Sequence, residues 1–315
     1  MRKETMLITG ADGQIGTALR KALAEKWGHE NVIATDIREI PDESIRTEKL
    51  DVLDQENLNR ICRENGVTQI YHLAAILSAR AEKDPRRSWE INMAGWFNIL
   101  DIAREMSSRV FFPSSVAVFG SHTPSDQTPQ YAVQQPETVY GISKVAGESW
   151  AHYYYTHYGL DVRSLRFPGL ISYEAPPGGG TTDYAVEIFH KAIQRSPFTC
   201  FLREDTRLPM LYMPDAIRAM IELMDAPAES ISVRTSYNLG GMSFTPAEIA
   251  GVIQKHIPDL EITYKPDYRQ QIADSWSHSI DDSLARKDWG WQPEFNLESM
   301  TEDMLKNLSQ ILETA

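Results

Sequence analysis

Cysteine is nearly absent: the 315 residues contain two, Cys62 and Cys200. Two isolated thiols cannot build a disulfide framework, and without clustered histidines they cannot hold a structural zinc, so no metal is expected and a reducing compartment fits. Long apolar runs are missing as well, none reaching the roughly 18 residues that a membrane-spanning helix needs. The first apolar strand begins near Thr5, so no signal or transit peptide is expected. Basic charge is also in short supply. Lys and Arg number 31 against 44 Asp and Glu, a formal net charge of −13, which argues against nucleic acid or an anionic membrane surface as a general partner. Arg86-Arg87 follows Asp84-Pro85 and reads as the solvated start of a helix. There is no internal repeat and no low-complexity tract. These absences lead to the expectation of a soluble, cytoplasmic protein.

Apolar residues make up 42% of the chain, enough for a large core. In the first half, short β-rich runs at 6–9, 31–36, 48–52, 69–75, 109–115 and 161–167 alternate with helical spacing at 14–26, 55–64, 86–106 and 141–158. Such alternation predicts an α/β fold with a doubly wound parallel sheet and right-handed crossovers. Past Pro168 the pattern breaks into loop-rich sequence with Pro176-Pro-Gly-Gly-Gly180, then mixed helices and strands up to an amphipathic tail at 297–312. We expect residues 1–170 to form a dinucleotide-binding domain. Residues 171–315 are expected to form mainly a smaller C-terminal substrate-binding lobe, with some segments returning to the first domain. Ligands of open α/β sheets sit beyond the C-terminal strand ends, so the site is sought there.

The run Met6-Leu-Ile-Thr-Gly-Ala-Asp-Gly-Gln-Ile-Gly16 places Gly10, Gly13 and Gly16 between the first strand and the first helix, with Gln14 and Ile15 opening that helix. Glycines there let backbone N–H groups approach a pyrophosphate, and the helix N-terminus adds a matching partial positive charge. The spacing is Gly-x-x-Gly-x-x-Gly, not the Gly-x-Gly-x-x-Gly of the wider dinucleotide fingerprint. Asp36 ends the second strand 20 residues beyond Gly16. A carboxylate there bonds both ribose hydroxyls of NAD and repels the 2′-phosphate of NADP, so NAD is the expected cofactor. Arg38, close by, reads as a solvated loop residue. Asp51 and Val52 follow the third strand, and Leu73, Ala74 and Ala75 close the fourth, where a sheet edge would meet the cofactor. His72, inside that apolar strand, reads as a satisfied core histidine and not as an acid or a ligand. Asn92 is polar within a helix whose neighbours look buried, and is expected to support the site through water or backbone.

Tyr140 and Lys144 lie four residues apart in Glu137-Thr-Val-Tyr-Gly-Ile-Ser-Lys144 and so share one helix face. An ammonium beside a phenol lowers the cost of the phenolate, which makes the pair a candidate base. By itself such a spacing is ordinary. Upstream, however, Arg109-Val-Phe-Phe-Pro-Ser-Ser115 is an apolar strand that delivers two hydroxyls to the ligand edge, and Ser115 lies 25 residues before Tyr140. With the glycine triplet and the Leu-Ala-Ala strand end, these motifs resemble the short-chain dehydrogenase/reductase superfamily in its extended, sugar-epimerase-like branch. The resemblance covers about the first 170 residues and implies a Rossmann domain. In it Ser115 positions the substrate oxygen, Tyr140 is the acid/base, and Lys144 tunes the tyrosine and holds the nicotinamide ribose. Leu170 and Asn92 join the cofactor site on the same ground.

The segment from Pro168 to His190, with Pro113-Ser-Ser-Val-Ala-Val-Phe-Gly120, looks like the corresponding parts of the NAD-dependent L-threonine 3-dehydrogenases of that superfamily. That resemblance implies hydride transfer from the β-carbon of L-threonine to NAD, giving 2-amino-3-ketobutyrate. Gly180 and Thr181 would meet the amino acid, Ser78 would bond it, and Trp276 would close over it. Ser78 reads equally as a helix-capping serine, and Trp276 as a core anchor. An NAD-dependent nucleotide-sugar epimerase or dehydratase is the alternative, with Arg203 and Arg207 available for a diphosphate. A non-catalytic NAD-sensing regulator would be expected to have lost Tyr140 or Lys144. Helices 86–106 and 141–158 carry Trp89, Trp96, Phe97, Trp150, Tyr153 and Tyr154, and members of the family pair through these helices, so a homodimer is expected.

Overall fold

The computed structural model describes residues 4–42, 44–174 and 180–314. The chain runs through β1 (Met6–Thr9), α1 (Gln14–Trp27), β2 (Val32–Asp36), β3 (Arg46–Lys49), α2 (Gln55–Asn65), β4 (Gln69–His72), α3 (Ser78–Ala81), α4 (Pro85–Met106) and β5 (Arg109–Ser115). It continues through α5 (Val139–Tyr158), β6 (Val162–Phe167), β7 (Gly169–Ile171), α6 (Tyr184–Ile193), β8 (Phe198–Cys200), β9 (Leu208–Tyr212), α7 (Met213–Asp225) and β10 (Tyr237–Asn238). Last come β11 (Met242–Phe244), α8 (Pro246–His256), β12 (Ile262–Tyr264), α9 (Arg269–Asp274), α10 (Ser283–Trp289) and α11 (Leu297–Thr314). Contacts divide the chain into two units. The first holds Met1–Val118, Pro136–Arg166 and Ile217–Tyr237, and the second holds Phe119–Gln135, Phe167–Ala216 and Asn238–Ala315.

The first unit is built on a sheet ordered β10-β6-β5-β4-β1-β2-β3. The pairings from β5 through β4, β1 and β2 to β3 are all parallel, the doubly wound arrangement, and the strand order reverses between β1 and β4. Burial explains the strands' composition: Met6 to Thr9 and Val32 to Asp36 are buried throughout, because helices cover both faces. β3 is different. It is an edge strand with Arg46 and Lys49 exposed, and it is held to β2 by its backbone register and flanked by the Arg46–Glu48 ion pair. The apolar spacing at 48–52 pointed to a strand two residues later. Leu50 and Val52 are indeed buried, but in the loop after β3. β4 likewise ends at His72, and Leu73 to Ala75 leave the sheet as loop.

The long helices start where the side chains supply acceptors. Asp54 accepts from Asn57 N at 3.0 Å, Asp84 from Arg87 N at 3.1 Å with Pro85 opening the first turn, and Thr138 from Gly141 N at 3.0 Å. Trp96 of α4 is fully buried, and its indole N–H donates to Gly147 O of α5 at 3.3 Å. The helix pair is thereby seated on Phe112 of β5, whose ring stacks on Trp96 at 4.5 Å.

The second unit carries the three-stranded sheet β11-β9-β7 and the two-stranded sheet β12-β8. Its core joins Tyr184, Phe189, Phe198, Met210, Phe244, Met300 and Met304. Residues 119–135 belong to this unit although they fall early in the chain. Thr128 bridges to Ile280, and Asn238 donates from Nδ2 to Thr128 O at 3.0 Å. Residues 217–237 return to the first unit, where Arg163, fully buried, donates to the carbonyls of Leu223 and Ala226 at 2.6 Å each. Those bonds satisfy the last carbonyls of α7.

Candidate active site

The loop between β1 and α1 is shaped for close approach. Gly10 has φ +68°, and a Cβ there would lie 2.7 Å from Ala74 N and 2.9 Å from Leu73 C. A Cβ on Gly16 would lie 2.4 Å from Gly10 O. Both neighbours are backbone, so neither can rotate away. The N-cap of α1 is Gly13, which makes no side-chain cap, and the first turn of the helix, with Gln14 and Ile15, carries no acidic residue. Backbone donors and a partial positive charge are thus left at that end, which fits a pyrophosphate.

Asp36 ends β2 and is 8% exposed, its carboxylate accepting from Asp12 N at 3.1 Å and Arg38 N at 3.2 Å. These bonds aim the carboxylate at the glycine loop and leave lone pairs for a ribose diol. Arg38 is more than a loop residue, since its guanidinium pairs with Asp12 at 2.9 Å and lies 3.8 Å from Asp36. Asp51 turns back on its own loop, accepting from Leu53 N at 3.0 Å, and Val52 is buried beside it. Ala74 and Ala75, half-buried, share a small cavity with His72, Asn92, Phe112, Ser143 and Lys144.

Thr138 caps α5, so Tyr140 falls in the first turn and Lys144 one turn later. The Ser115 hydroxyl acts on the Tyr140 phenol, favouring its ionised form, so the end of β5 and the start of α5 come together here. Ser115 Oγ also accepts from Ala117 N at 3.2 Å. Lys144, 4% exposed, donates from Nζ to Pro113 O at 2.6 Å and lies 4.6 Å from the Phe112 ring centre and 5.3 Å from that of Tyr140. Its ammonium therefore faces the tyrosine ring while holding the strand end. Burial pushes the phenol up to about 12, with the Ser115 bond acting the other way. Burial lowers Lys144 to about 7, opposed by the Glu148 carboxylate. The expected lowering of the tyrosine by its lysine is not seen: burial sets the direction, and the group acting the other way is Ser115.

His72 is a core histidine: its Nδ1 shares a hydrogen with Thr9 Oγ1 at 2.9 Å, and its ring stacks on Trp96 at 5.6 Å. Burial takes it down to about 3, so it stays neutral. Asn92 does not reach toward the tyrosine hydroxyl. Its amide exchanges bonds with Ile76, accepting from N at 2.7 Å and donating to O at 3.1 Å, and it also donates to Ser143 Oγ at 3.3 Å. Ser143 in turn donates to Tyr140 O at 2.7 Å. Asn92 therefore anchors the loop after β4 to the first turn of α5.

Several of the remaining residues singled out from the sequence belong to the second unit. Leu170 lies in β7 opposite Leu211, and Thr181 is buried, both in the second unit. Gly180 N donates to Asp183 Oδ2 at 2.8 Å. Trp276 packs partly buried against the core of the second unit. The side chain of Ser78, and residues 175–179 of the glycine loop, lie outside the described residues. Arg203 pairs with Asp274 at 2.6 Å and Arg207 with Glu248 at 2.5 Å, so both guanidinium groups have carboxylate partners within the second unit. Of the two hydroxyls expected at the ligand edge, that of Ser114 is buried and bonds Glu148, and sequence reasoning missed Glu148 and Arg166, which form with it a buried cluster directly behind Lys144. The available signal was two arginines inside the fully buried strand Val162-Arg-Ser-Leu-Arg-Phe167.

The chain is 47% identical over 307 residues to the mitochondrial L-threonine 3-dehydrogenase of Bos taurus, a match covering 96% of this chain and 82% of that protein. Among solved structures, the holo form of an L-threonine dehydrogenase from Cupriavidus necator superposes with a TM-score of 0.95 at 54% identity, covering 96% of this chain and 99% of that one. A monomeric L-threonine 3-dehydrogenase from a metagenome superposes with a TM-score of 0.94 at 48% identity, covering 98% and 99%. The profile that matches residues 6–240 spans the glycine loop, Asp36, Ser115, Tyr140 and Lys144 together, and by it this chain belongs to the NAD dependent epimerase/dehydratase family.

Proposed function

We propose that the protein is an NAD-dependent L-threonine 3-dehydrogenase, oxidising the β-hydroxyl of L-threonine to give 2-amino-3-ketobutyrate. The observation that carries this reading is the convergence of Ser115, Tyr140 and Lys144 at one sheet edge in the unit that holds the glycine loop. Similarity along nearly the whole chain to proteins named L-threonine dehydrogenases supports the choice of substrate. Gly10, Gly13 and Gly16 with the α1 N-terminus receive the pyrophosphate, Asp36 takes the adenosine ribose, and Lys144 takes the nicotinamide ribose. Val52 and Leu73 to Ala75 line the remaining cofactor surface of this unit. When bound, NAD supplies the hydride acceptor, at nicotinamide C4, and a positive ring.

Ser115 holds the substrate hydroxyl against Tyr140. Tyr140 takes its proton as the carbon–oxygen double bond forms, and Lys144 stabilises the phenolate that does so. A phenol near 12 is a poor base at neutral pH, so positive charge beside it is a requirement of the chemistry and not a refinement. Ser78, in the same unit, is assigned to the amino acid. Purified protein given NAD and L-threonine should form NADH, seen by its near-ultraviolet absorbance. Absence of NADH together with turnover of a UDP-sugar would replace this reading with the epimerase one.

We further propose that the protein acts as a homodimer in the cytoplasm. Trp89 and Tyr153 are 43% and 39% exposed on α4 and α5, more aromatic surface than a solvated face carries. The metagenome relative is described as monomeric, so light scattering on this protein decides the matter, and a monomer mass would refute the pairing. Cys62 and Cys200 are free and buried, which fits a reducing compartment.

A further inference from the structure

Behind Lys144 lies a cluster that the reaction as described does not use. Glu148, one turn further along α5, is 1% exposed, and Arg166 of β6 is 4% exposed. Arg166 donates to both carboxylate oxygens of Glu148, from Nε to Oε1 at 2.9 Å and from Nη2 to Oε2 at 2.7 Å. Ser114 Oγ donates to Oε1 at 2.6 Å. The neighbouring Pro113 carbonyl accepts from Lys144 Nζ at 2.6 Å. Two consecutive residues at the end of β5 are therefore gripped by two side chains one turn apart on α5, directly before Ser115.

A buried ion pair is weak evidence of stability, since a packed apolar pair is often as good. Placement at this point calls for another use. We infer that Glu148 is a positioning residue for the proposed reaction, fixing the strand end that presents Ser115 and supplying the negative partner for the Lys144 ammonium. The inference rests on the assignment of Ser115, Tyr140 and Lys144 made above.

The surroundings of Lys144 support it. The groups facing it are Tyr140 and Glu148 on α5 and His72 on β4, with Arg166 on β6 beyond the carboxylate. His72 is neutral, and Tyr140 is uncharged until it gives up its proton. The charge acting in favour of the ammonium against its burial is that of Glu148. Removing this charge lowers the lysine further, and an unpaired Arg166 lowers it again. A neutral lysine cannot stabilise the phenolate, so the pH above which activity falls moves down.

The test reads Lys144 itself, in protein labelled with 13C at the lysine Cε and with its signal assigned by Lys144→Arg. Glu148→Gln should lower the titration midpoint by about one unit or more, a tenfold or larger change in proton affinity. Glu148→Asp, which keeps the charge but draws it back, should hold the midpoint near that of the parent while reducing kcat. Should Glu148→Gln fail to fold, Glu148→Gln with Arg166→Gln removes the ion pair as a unit and leaves no arginine without its carboxylate, and the midpoint should still fall. A merely structural pair predicts lower thermal stability with an unmoved midpoint, and that result in either folded variant that removes the Glu148 carboxylate overturns the inference. The readout needs no turnover, so it stands apart from the substrate assignment, which fails instead if the parent protein forms no NADH from L-threonine.

Discussion

Replacing Gly10 by alanine separates two costs that usually arrive together. Gly10 and Gly66 both have left-handed backbone, with φ of +68° and +60°. For any residue with a Cβ that conformation costs about 1–2 kcal/mol. At Gly66, the C-cap of α2, nothing lies within 4 Å of an added Cβ. Gly66→Ala therefore measures backbone strain alone, a Tm fall of roughly 2–4 °C per kcal/mol for a chain of this size class. At Gly10 the same methyl would lie 2.7 Å from Ala74 N and 2.9 Å from Ala74 Cα, well inside the ~3.5–4.0 Å of ordinary contact. Since those atoms are main chain, the loop after β4 must move, and with it the surface assigned to the cofactor. We expect Gly10→Ala to raise the Kd for NAD at least tenfold, about 1.4 kcal/mol, and Gly66→Ala to leave it unchanged. Calorimetric titration with NAD and thermal unfolding on both variants provide the comparison. Equal NAD affinity in the two variants would refute the close-approach argument, however much either lost in stability.

Asp36→Ser removes the carboxylate that opposes a 2′-phosphate and leaves Arg38 beside the site, so the ratio of kcat/KM for NADP over NAD should rise by tenfold or more; an unchanged ratio would place nucleotide choice elsewhere. His72 gives a pH signature. Its folded value of about 3 lies below the ordinary 6.5, so the stability it contributes is complete above pH 6.5 and is lost as pH falls toward 3. The loss reaches about 2 kcal/mol by pH 5, at ~1.36 kcal/mol per unit. In His72→Leu the slope of unfolding free energy against pH between 6.5 and 4 should fall by up to one proton, and an unaltered slope would mean that the histidine charges in the fold. Tyr140→Phe should abolish turnover with NAD binding nearly intact; loss of binding would instead point to a collapsed site.

Local signals carried much of the fold. The helices at 14–26, 55–64, 86–106 and 141–158 fall within one or two residues of the observed elements, because their apolar periodicity and their caps at Asp54, Asp84 and Thr138 are all local. β3 was misplaced for a physical reason: an edge strand satisfied by one neighbour's backbone and ion pairs need not be apolar, and Arg46-Thr-Glu-Lys49 is not. The return of some later segments was expected, but the bounds 119–135 and 217–237 could not be read, because each is decided by pairing with residues 60 or more positions away, Arg163 with Leu223 and Thr128 with Ile280 among them.

In the site, Tyr140 and Lys144 could be read because a four-residue spacing fixes their shared face. What the lysine bonds could not be read, since its partner is a carbonyl 31 residues earlier. Glu148 and Arg166 stayed hidden in the same way, 18 residues apart on different elements. Two arginines within a strand buried throughout were the trace they left.

The central claim is hydride transfer from the β-carbon of L-threonine with Tyr140 as base, and L-threonine deuterated at that carbon tests it most directly. Incubated with the protein and NAD, it should yield reduced cofactor carrying deuterium at nicotinamide C4, read by NMR. Reduced cofactor without the label, or none at all, would contradict the account.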